Sequence, residues 1–215
     1  FNKTNIPGGV KIELKKRIPQ GARLAGGSAD AAAVLKGLNI MYSAGLSMDE
    51  LLELGLECGA DVPFCITGGT CFAEGVGEKL TKLPSFAGIN IVVVVPDFAV
   101  STAWVYKNYR MDDPIKHPDS KKLVEAIKKR DLQKLAQGTA NVLESVTVVK
   151  YPEIEGIKRE VKSHGALGSL MSGSGPSVFG LFENENTAHK AFGALKNRYR
   201  NTYMVSSVDG GRIYG

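Results

Sequence analysis

The stretch from Pro19 to Ala33 reads Pro-Gln-Gly-Ala-Arg-Leu-Ala-Gly-Gly-Ser-Ala-Asp-Ala-Ala-Ala, a small-residue loop that runs into an alanine-rich segment. Its residues Pro19, Gln20, Gly21, Ala22, Arg23, Leu24, Ala25, Gly26, Gly27, Ser28 and Ala29 are mostly short, so backbone N–H groups can approach a ligand closely. A helix beginning at Ser28, with the serine hydroxyl as N-cap, would add partial positive charge at its start. Such a loop suits an anion, above all a phosphate. The alternative is a plain glycine-rich turn capping a buried helix. A second candidate is Asp61, the one acid in the apolar, glycine-bounded segment Gly59-Ala60-Asp61-Val62-Pro63-Phe64. Buried beside a phosphate site, it could take a proton from a substrate hydroxyl or hold that hydroxyl in line; otherwise it is a helix cap or turn residue. The third is Ser172-Gly173-Ser174-Gly175, whose hydroxyls and N–H groups could close over phosphates, or which is simply a hairpin turn. His117, His164 and His189 fall in no nucleophile or metal pattern, and no metal-binding residue is assigned.

These residues need elements to position them. Val10, Ile12 and Leu14 alternate with Lys11, Glu13 and Lys15, which predicts a half-buried strand delivering the chain into the loop. Residues 28–42 are apolar on nearly every side, which predicts a helix buried mid-domain and ended by Gly45. Ser47-Met48-Asp49-Glu50 is a capping box for a helix over 48–58. Short strands follow at 70–73 and 79–83, then an apolar strand at 89–95 closed by Pro96. Helices are expected from Ser101 to Tyr109 and at about 119–129, 131–137, 139–148 and 152–163, with a loop over 110–118. Strand, glycine turn, strand, helix and strand complete the chain at 168–171, 172–175, 177–182, 187–198 and 202–208. The irregular mixture favours α+β over a doubly wound sheet. The composition shift near Pro84–Gly88 suggests two domains, 1–86 and 87–215.

The chain has 215 residues, 43% of them hydrophobic and 23% charged, as a globular protein with a real core requires. No apolar run approaches the ~18 residues of a membrane helix, so no membrane partner is expected. Three cysteines, Cys58, Cys65 and Cys71, an odd number without C-x-x-C spacing, argue against a disulfide framework and fit a cytoplasmic setting. The net charge of +5 suits a small phosphorylated substrate or a nucleic acid. Basic residues are not interleaved with aromatics, which argues against nucleic acid and leaves Lys121-Lys122 and Lys128-Lys129-Arg130 as a solvated helix face.

Four motifs together are informative: Pro19-x-x-x-x-Leu24-Ala-Gly-Gly-Ser28-x-Asp30-Ala-Ala-Ala; Gly59-Ala-Asp-Val-Pro-Phe-Cys-Ile-x-Gly-Gly-Thr70; Gly75-x-Gly-Glu-Lys-Leu80; and Met171-Ser-Gly-Ser-Gly-Pro-Ser-Val-Phe-Gly180. In this order they resemble the GHMP small-molecule kinases, along the whole chain. The resemblance implies a two-domain α+β fold, with a ribosomal-protein-S5-like N-terminal part and a ferredoxin-like C-terminal domain. It implies ATP phosphates on the 19–29 loop, accompanying Mg²⁺, Asp61 at the hydroxyl being phosphorylated, and residues 172–175 closing over the phosphates. The Gly59–Gly69 segment is the most discriminating. It points to members that phosphorylate a cytidine-diphosphate-linked methylerythritol; another GHMP kinase, of homoserine or mevalonate type, and a non-catalytic nucleotide- or RNA-binding protein are the alternatives. A monomer or weak homodimer is expected. Asn141 and Glu144 match a family Asn-x-x-Glu element and are read as structural.

Two departures from the family pattern stand out. Phe1 aligns well inside the N-terminal domain, so a lysine-bearing strand and a Tyr/His segment that holds the cytidine, roughly a quarter of the usual length, have no counterpart here. Residues 1–215 by themselves are then expected to associate through an unpaired strand edge and to lack activity, unless that segment exists in the molecule. Second, Arg23 stands where the loop normally has Gly, and Ala29 replaces a usual Ser. A side chain at position 23 is disfavoured if φ is positive there; alternatively the guanidinium grips phosphate.

Overall fold

The computed structural model describes residues 3, 4, 6–110 and 117–210; the greater part of the loop expected over 110–118 lies outside them. The chain divides into two compact units. One comprises the described residues of Phe1–Pro19, Ala25–Lys82 and Asp209–Gly215, the other Gln20–Leu24 and Leu83–Val208.

The first unit carries helices α1 (Gly26–Met41), α2 (Met48–Cys58) and α3 (Val62–Thr67) and the antiparallel hairpin β1 (Cys71–Glu74) and β2 (Lys79–Lys82). The capping box forms as its residues require: the Ser47 hydroxyl accepts from the Glu50 N–H at 3.3 Å, and the Ser47 N–H donates to the Glu50 carboxylate at 2.8 Å. Ala32, Leu51, Val62 and Ile66 form the core of this unit. Gly55 makes it possible, since a Cβ there would lie 2.7 Å from Ile66 Cδ1.

Three expectations are corrected here. Residues 6–17 form no strand, and Val10, Ile12 and Leu14 are all exposed. Alternation creates a strand only where a neighbour takes up the ladder hydrogen bonds, and none of the described strands runs beside this segment. Helix α1 is not buried on all sides: it packs on α2 and α3, which cover Ala32 but leave Ile40 and Met41 exposed. It also begins earlier and ends earlier than expected. Ala25, not Ser28, is the N-cap, and Tyr42, not Gly45, the C-cap.

The second unit is built on an antiparallel sheet of β3 (Asn90–Val94), β4 (Gly168–Met171), β5 (Val178–Phe182) and β6 (Thr202–Ser206), in the order β4-β5-β3-β6. Helices α4 (Thr102–Asn108), α5 (Ser120–Lys128), α6 (Leu132–Gly138), α7 (Glu144–Lys150) and α8 (Glu153–Ser163) precede β4, and α9 (Glu185–Arg198) joins β5 to β6. With α4–α7 read as an insertion, β3-α8-β4-β5-α9-β6 is the split βαββαβ, ferredoxin-like arrangement. Ser101, Asp119, Asp131 and Asn184 cap α4, α5, α6 and α9 through their side chains. The helix expected over 139–148 starts only at Glu144, because Asn141 turns its side chain onto the Leu143 N–H and interrupts the first turn.

Alternation along β3 separates two packed faces. Val92 and Val94 join Ile154, Ile157, Val161, Ala188, Ala191 and Leu195 in the main core under α8 and α9. Val93 and Val95 face the other way, where they pack with Ala22 and Leu24. Among the described residues, no helix is long and apolar enough to cross a membrane.

Two measurements check this packing. A Cβ at Gly180 would sit 2.3 Å from Val161 Cγ1, where α8 crosses β5. Gly180→Ala should therefore cost about 1–3 kcal/mol of unfolding free energy in a denaturant titration. The Tyr199 hydroxyl donates to Glu160 at 2.7 Å, and burial, that hydrogen bond and the Glu160 charge push its pKa up to about 12. An unfolded phenol ionises near 10, so this stabilisation is complete below pH 10 and is lost as pH rises from 10 to 12. The stability difference between wild type and Tyr199→Phe should accordingly shrink across that window.

Candidate functional site

Residues 20–24 belong to the second unit as a short strap, held by two apolar side chains and two carbonyls. Ala22 is only 2% exposed, seated with Leu24 against Val93, Val95, Phe179 and Tyr203. The Ser177 hydroxyl donates to the Ala22 carbonyl, and the Ser172 hydroxyl donates to the Arg23 carbonyl at 2.7 Å. The strap and the 172–175 turn, two of the three segments singled out in the sequence, are thus bonded to one another.

The turn is a β4–β5 connection closed by Ser172 N–H to the Ser177 carbonyl and Gly175 N–H to the Ser172 carbonyl. Gly173 and Gly175 adopt φ of 54° and 86°, which glycine tolerates. A network behind the turn fixes it. The Asn141 amide donates to the Met171 carbonyl at 2.9 Å and the Gly173 carbonyl at 2.7 Å. Glu144 accepts the Met171 N–H at 2.8 Å and an ammonium hydrogen of Lys158 at 2.7 Å. Burial opposes the Lys158 charge, but Glu144 and Glu155 outweigh it and raise its pKa above the ordinary lysine value. Thr102 and Ser174 share a hydroxyl–hydroxyl hydrogen bond of 2.9 Å, and Thr147 donates to the Ser174 carbonyl at 3.3 Å. Asn141 and Glu144 are therefore the turn's scaffold, as their structural reading anticipated.

The strap fits an anion. Among the described residues, the N–H groups of Gly21, Arg23, Leu24 and Ala25 donate to no protein acceptor, that of the buried Ala22 closes a turn over Gln20 and Gly21, and a Cβ at Gly21 would meet nothing within 4 Å. Gly21, Arg23 and Ala25 have φ of 68°, 57° and 51°. The left-handed region costs an L-residue about 1–2 kcal/mol, so the objection to a side chain at position 23 is real.

In the first unit, Ala25 accepts the Ala29 N–H at 2.9 Å and starts α1, whose first turn has no side-chain cap and no acid. Ser28 sits inside that turn instead of capping it, and Ile18 lies 3.0 Å from where a Gly26 Cβ would be. The first-turn N–H groups of Gly26, Gly27 and Ser28 are left without intrahelical partners. Lys16 lies outside the three segments that the sequence singles out. Its ammonium pairs with Asp30 and lies 3.7 Å from the Gly26 Cβ position, beside the start of α1. A lysine in a basic run gives no signal of a partner fourteen residues on.

Asp61 holds the N-cap position of α3 without making a capping hydrogen bond. It is exposed, contrary to the buried setting considered for it. Its carboxylate has no hydrogen-bond or ion-pair partner among the described residues, which leaves it available to a hydroxyl. Its charge is felt nearby: burial first, then Asp61, push the Cys65 thiol up, against the pull of Lys36. Among the described residues, no three His, Cys, Asp or Glu side chains gather as a protein-held metal would need.

Residues 1–69 match the family model for the GHMP kinase N-terminal domain, and residues 123–201 match that for the GHMP kinase C-terminal domain. The chain is 52% identical over 203 residues to 4-diphosphocytidyl-2-C-methyl-D-erythritol kinase of Acetivibrio thermocellus, covering 94% of this chain and 72% of that one. The chain belongs to the GHMP kinase family. The kinase of the same name from Clostridium acetobutylicum is 47% identical over the same shares. A crystal structure of 4-(cytidine 5'-diphospho)-2C-methyl-D-erythritol kinase superposes with a TM-score of 0.77 at 35% identity, covering 92% of this chain and 70% of that chain. Homoserine kinase from Cytophaga hutchinsonii, at TM-score 0.75 and 22% identity over 90% of this chain and 68% of its own, shares the fold. GHMP kinases are ATP-dependent phosphotransferases acting on small molecules, which agrees with an anion-receptive strap.

Removing the scaffold amide should loosen the turn. Asn141→Ala leaves the Met171 and Gly173 carbonyls without their donor and should cost about 1 kcal/mol of stability, since water can reach part of the site. Hydrogen exchange should show the Gly175 amide opening faster in the variant.

Proposed function

We propose that this GHMP kinase transfers the γ-phosphoryl group of ATP to the 2-hydroxyl of 4-diphosphocytidyl-2-C-methyl-D-erythritol, a step of non-mevalonate isoprenoid precursor synthesis, and releases ADP. The observation that carries the assignment is the 52% identity to a kinase of that name across 94% of the chain. The bond formed joins the acceptor oxygen to the γ-phosphorus, and the bond broken is that between the γ-phosphorus and the β,γ-bridging oxygen.

In this reading the 19–29 loop binds the ATP phosphates through backbone N–H groups, and Ser172, Gly173, Ser174 and Gly175 close over them. Phosphoryl transfer asks a protein for positioning and for stabilisation of charge on the transferred oxygens, which donors fixed in advance provide. Asp61, a carboxylate without a competing partner, orients the acceptor hydroxyl and takes its proton. Mg²⁺ accompanies the nucleotide, neutralising phosphate charge. The protein works as a monomer or weak homodimer without nucleic acid or membrane.

Full-length protein should phosphorylate the cytidine-diphosphate-linked polyol when offered it beside homoserine and mevalonate, with ADP release as the readout. Phosphorylation of homoserine alone would assign the chain to a different member of the family. Asp61→Asn keeps the size and removes the charge, and should lower kcat by about 10²–10⁴ while leaving ATP affinity nearly unchanged. Wild-type turnover in that variant would reduce Asp61 to a helix-start residue.

A further inference from the structure

Among the described residues, four that are not glycine have positive φ: Arg23, Ala25, Ser43 and Arg130. Two have a local explanation. Ser43 and Arg130 follow the ends of α1 and α5, and their N–H groups return to the Ile40 and Ile127 carbonyls, an ordinary left-handed helix stop. Arg130 is further engaged through its guanidinium, which donates to the Ser85 and Ala87 carbonyls at 2.8 and 3.0 Å and lies over the Phe86 ring.

Arg23 has no such compensation. It follows no helix, and its guanidinium makes no hydrogen bond or ion pair among the described residues. Yet its backbone is over-determined: Ala22 is buried behind it, and its carbonyl accepts from Ser172. Its Cβ and Cγ run along Gly173, 3.6 and 3.9 Å from where a Gly173 Cβ would stand, while the residue remains exposed. An arginine in a conformation suited to glycine, with its stem laid on the turn and its charged end unengaged, carries strain that its own side chain does nothing within the protein to offset. Strain of this kind points to a ligand.

We infer that Arg23 is a phosphate-binding side chain, its guanidinium engaging the polyphosphate of the nucleotide where the 20–24 strap meets the 172–175 turn. The inference rests on the proposed ATP reading of that loop and adds to it a side-chain clamp, which backbone donors alone would not supply. A planar guanidinium offers paired donors matched to phosphate oxygens, whereas glycine at this position would leave recognition to the main chain.

Calorimetric titration of full-length wild type, Arg23→Gly and Arg23→Asn with ATP, ADP and adenosine tests it, alongside Tm without ligand. Both substitutions tolerate positive φ and remove the charge. Arg23→Gly should raise the ligand-free Tm by about 2–4 °C through released strain. It should weaken ATP and ADP binding by about 10- to 100-fold while leaving adenosine affinity unchanged. Arg23→Asn should lose ATP affinity to a similar degree, separating charge from backbone relief. ATP affinity equal to or tighter than wild type in both variants overturns the clamp, as does an equal loss for adenosine, which would mean a general disturbance of the loop. Failure of the wild type to bind ATP overturns the loop reading itself, and the clamp with it.

Discussion

The structure of the candidate site depends on two hydroxyl-to-carbonyl hydrogen bonds, from Ser177 to Ala22 and from Ser172 to Arg23. Both donors belong to the β4–β5 connection and both acceptors to the glycine strap. They join residues 155 and 149 positions apart in the chain, so the strap's conformation is set by a hairpin formed from distant sequence. Using carbonyls as the anchors has a chemical consequence. It turns the Ala22 and Arg23 oxygens toward the hairpin and leaves the N–H groups of Gly21, Arg23 and Leu24 without protein acceptors. The buried Ala22 methyl on Val93 and Val95 supplies the apolar part of the same attachment.

That attachment is useful only if the hairpin is itself rigid. Asn141 and Glu144 supply this from behind, with Lys158 balancing the Glu144 charge in a half-buried setting where an unpaired carboxylate would be costly. Lys158 belongs to α8, which also packs on β5 at Gly180, so the turn is tied to the main core through one helix. Preorganised donors of this kind suit phosphoryl transfer, in which the protein mainly holds charge and geometry.

How much of this could be read from the sequence varies with the range of the interaction. The capping box at Ser47–Glu50, the apolar run of β3, the Gly75–Gly77 hairpin and the ends of β4 are local patterns, and the chain folds as they indicate. The 10–15 alternation is equally clear, yet a strand needs a partner, and local pattern does not provide one. Ser28 looks like an N-cap by type, but Ala25, in the left-handed region, starts the helix earlier. The Lys16–Asp30 pair and the Ser172–Arg23 bond are legible only once the chain is folded. The four family motifs are the exception. They mark the strap, the Asp61 segment and the turn as three separate strings of one family pattern, without needing the folded contacts.

The central claim is that strap and turn act as one anion cradle. Hydrogen exchange of the full-length protein with and without ATP measures this residue by residue. The account predicts that ATP slows exchange at the amides of Gly21–Ala25 and of Ser172–Gly175 together, with adenosine leaving both largely unprotected. Protection by ATP confined to one of the two segments, or absent from both while binding is saturated, would contradict it.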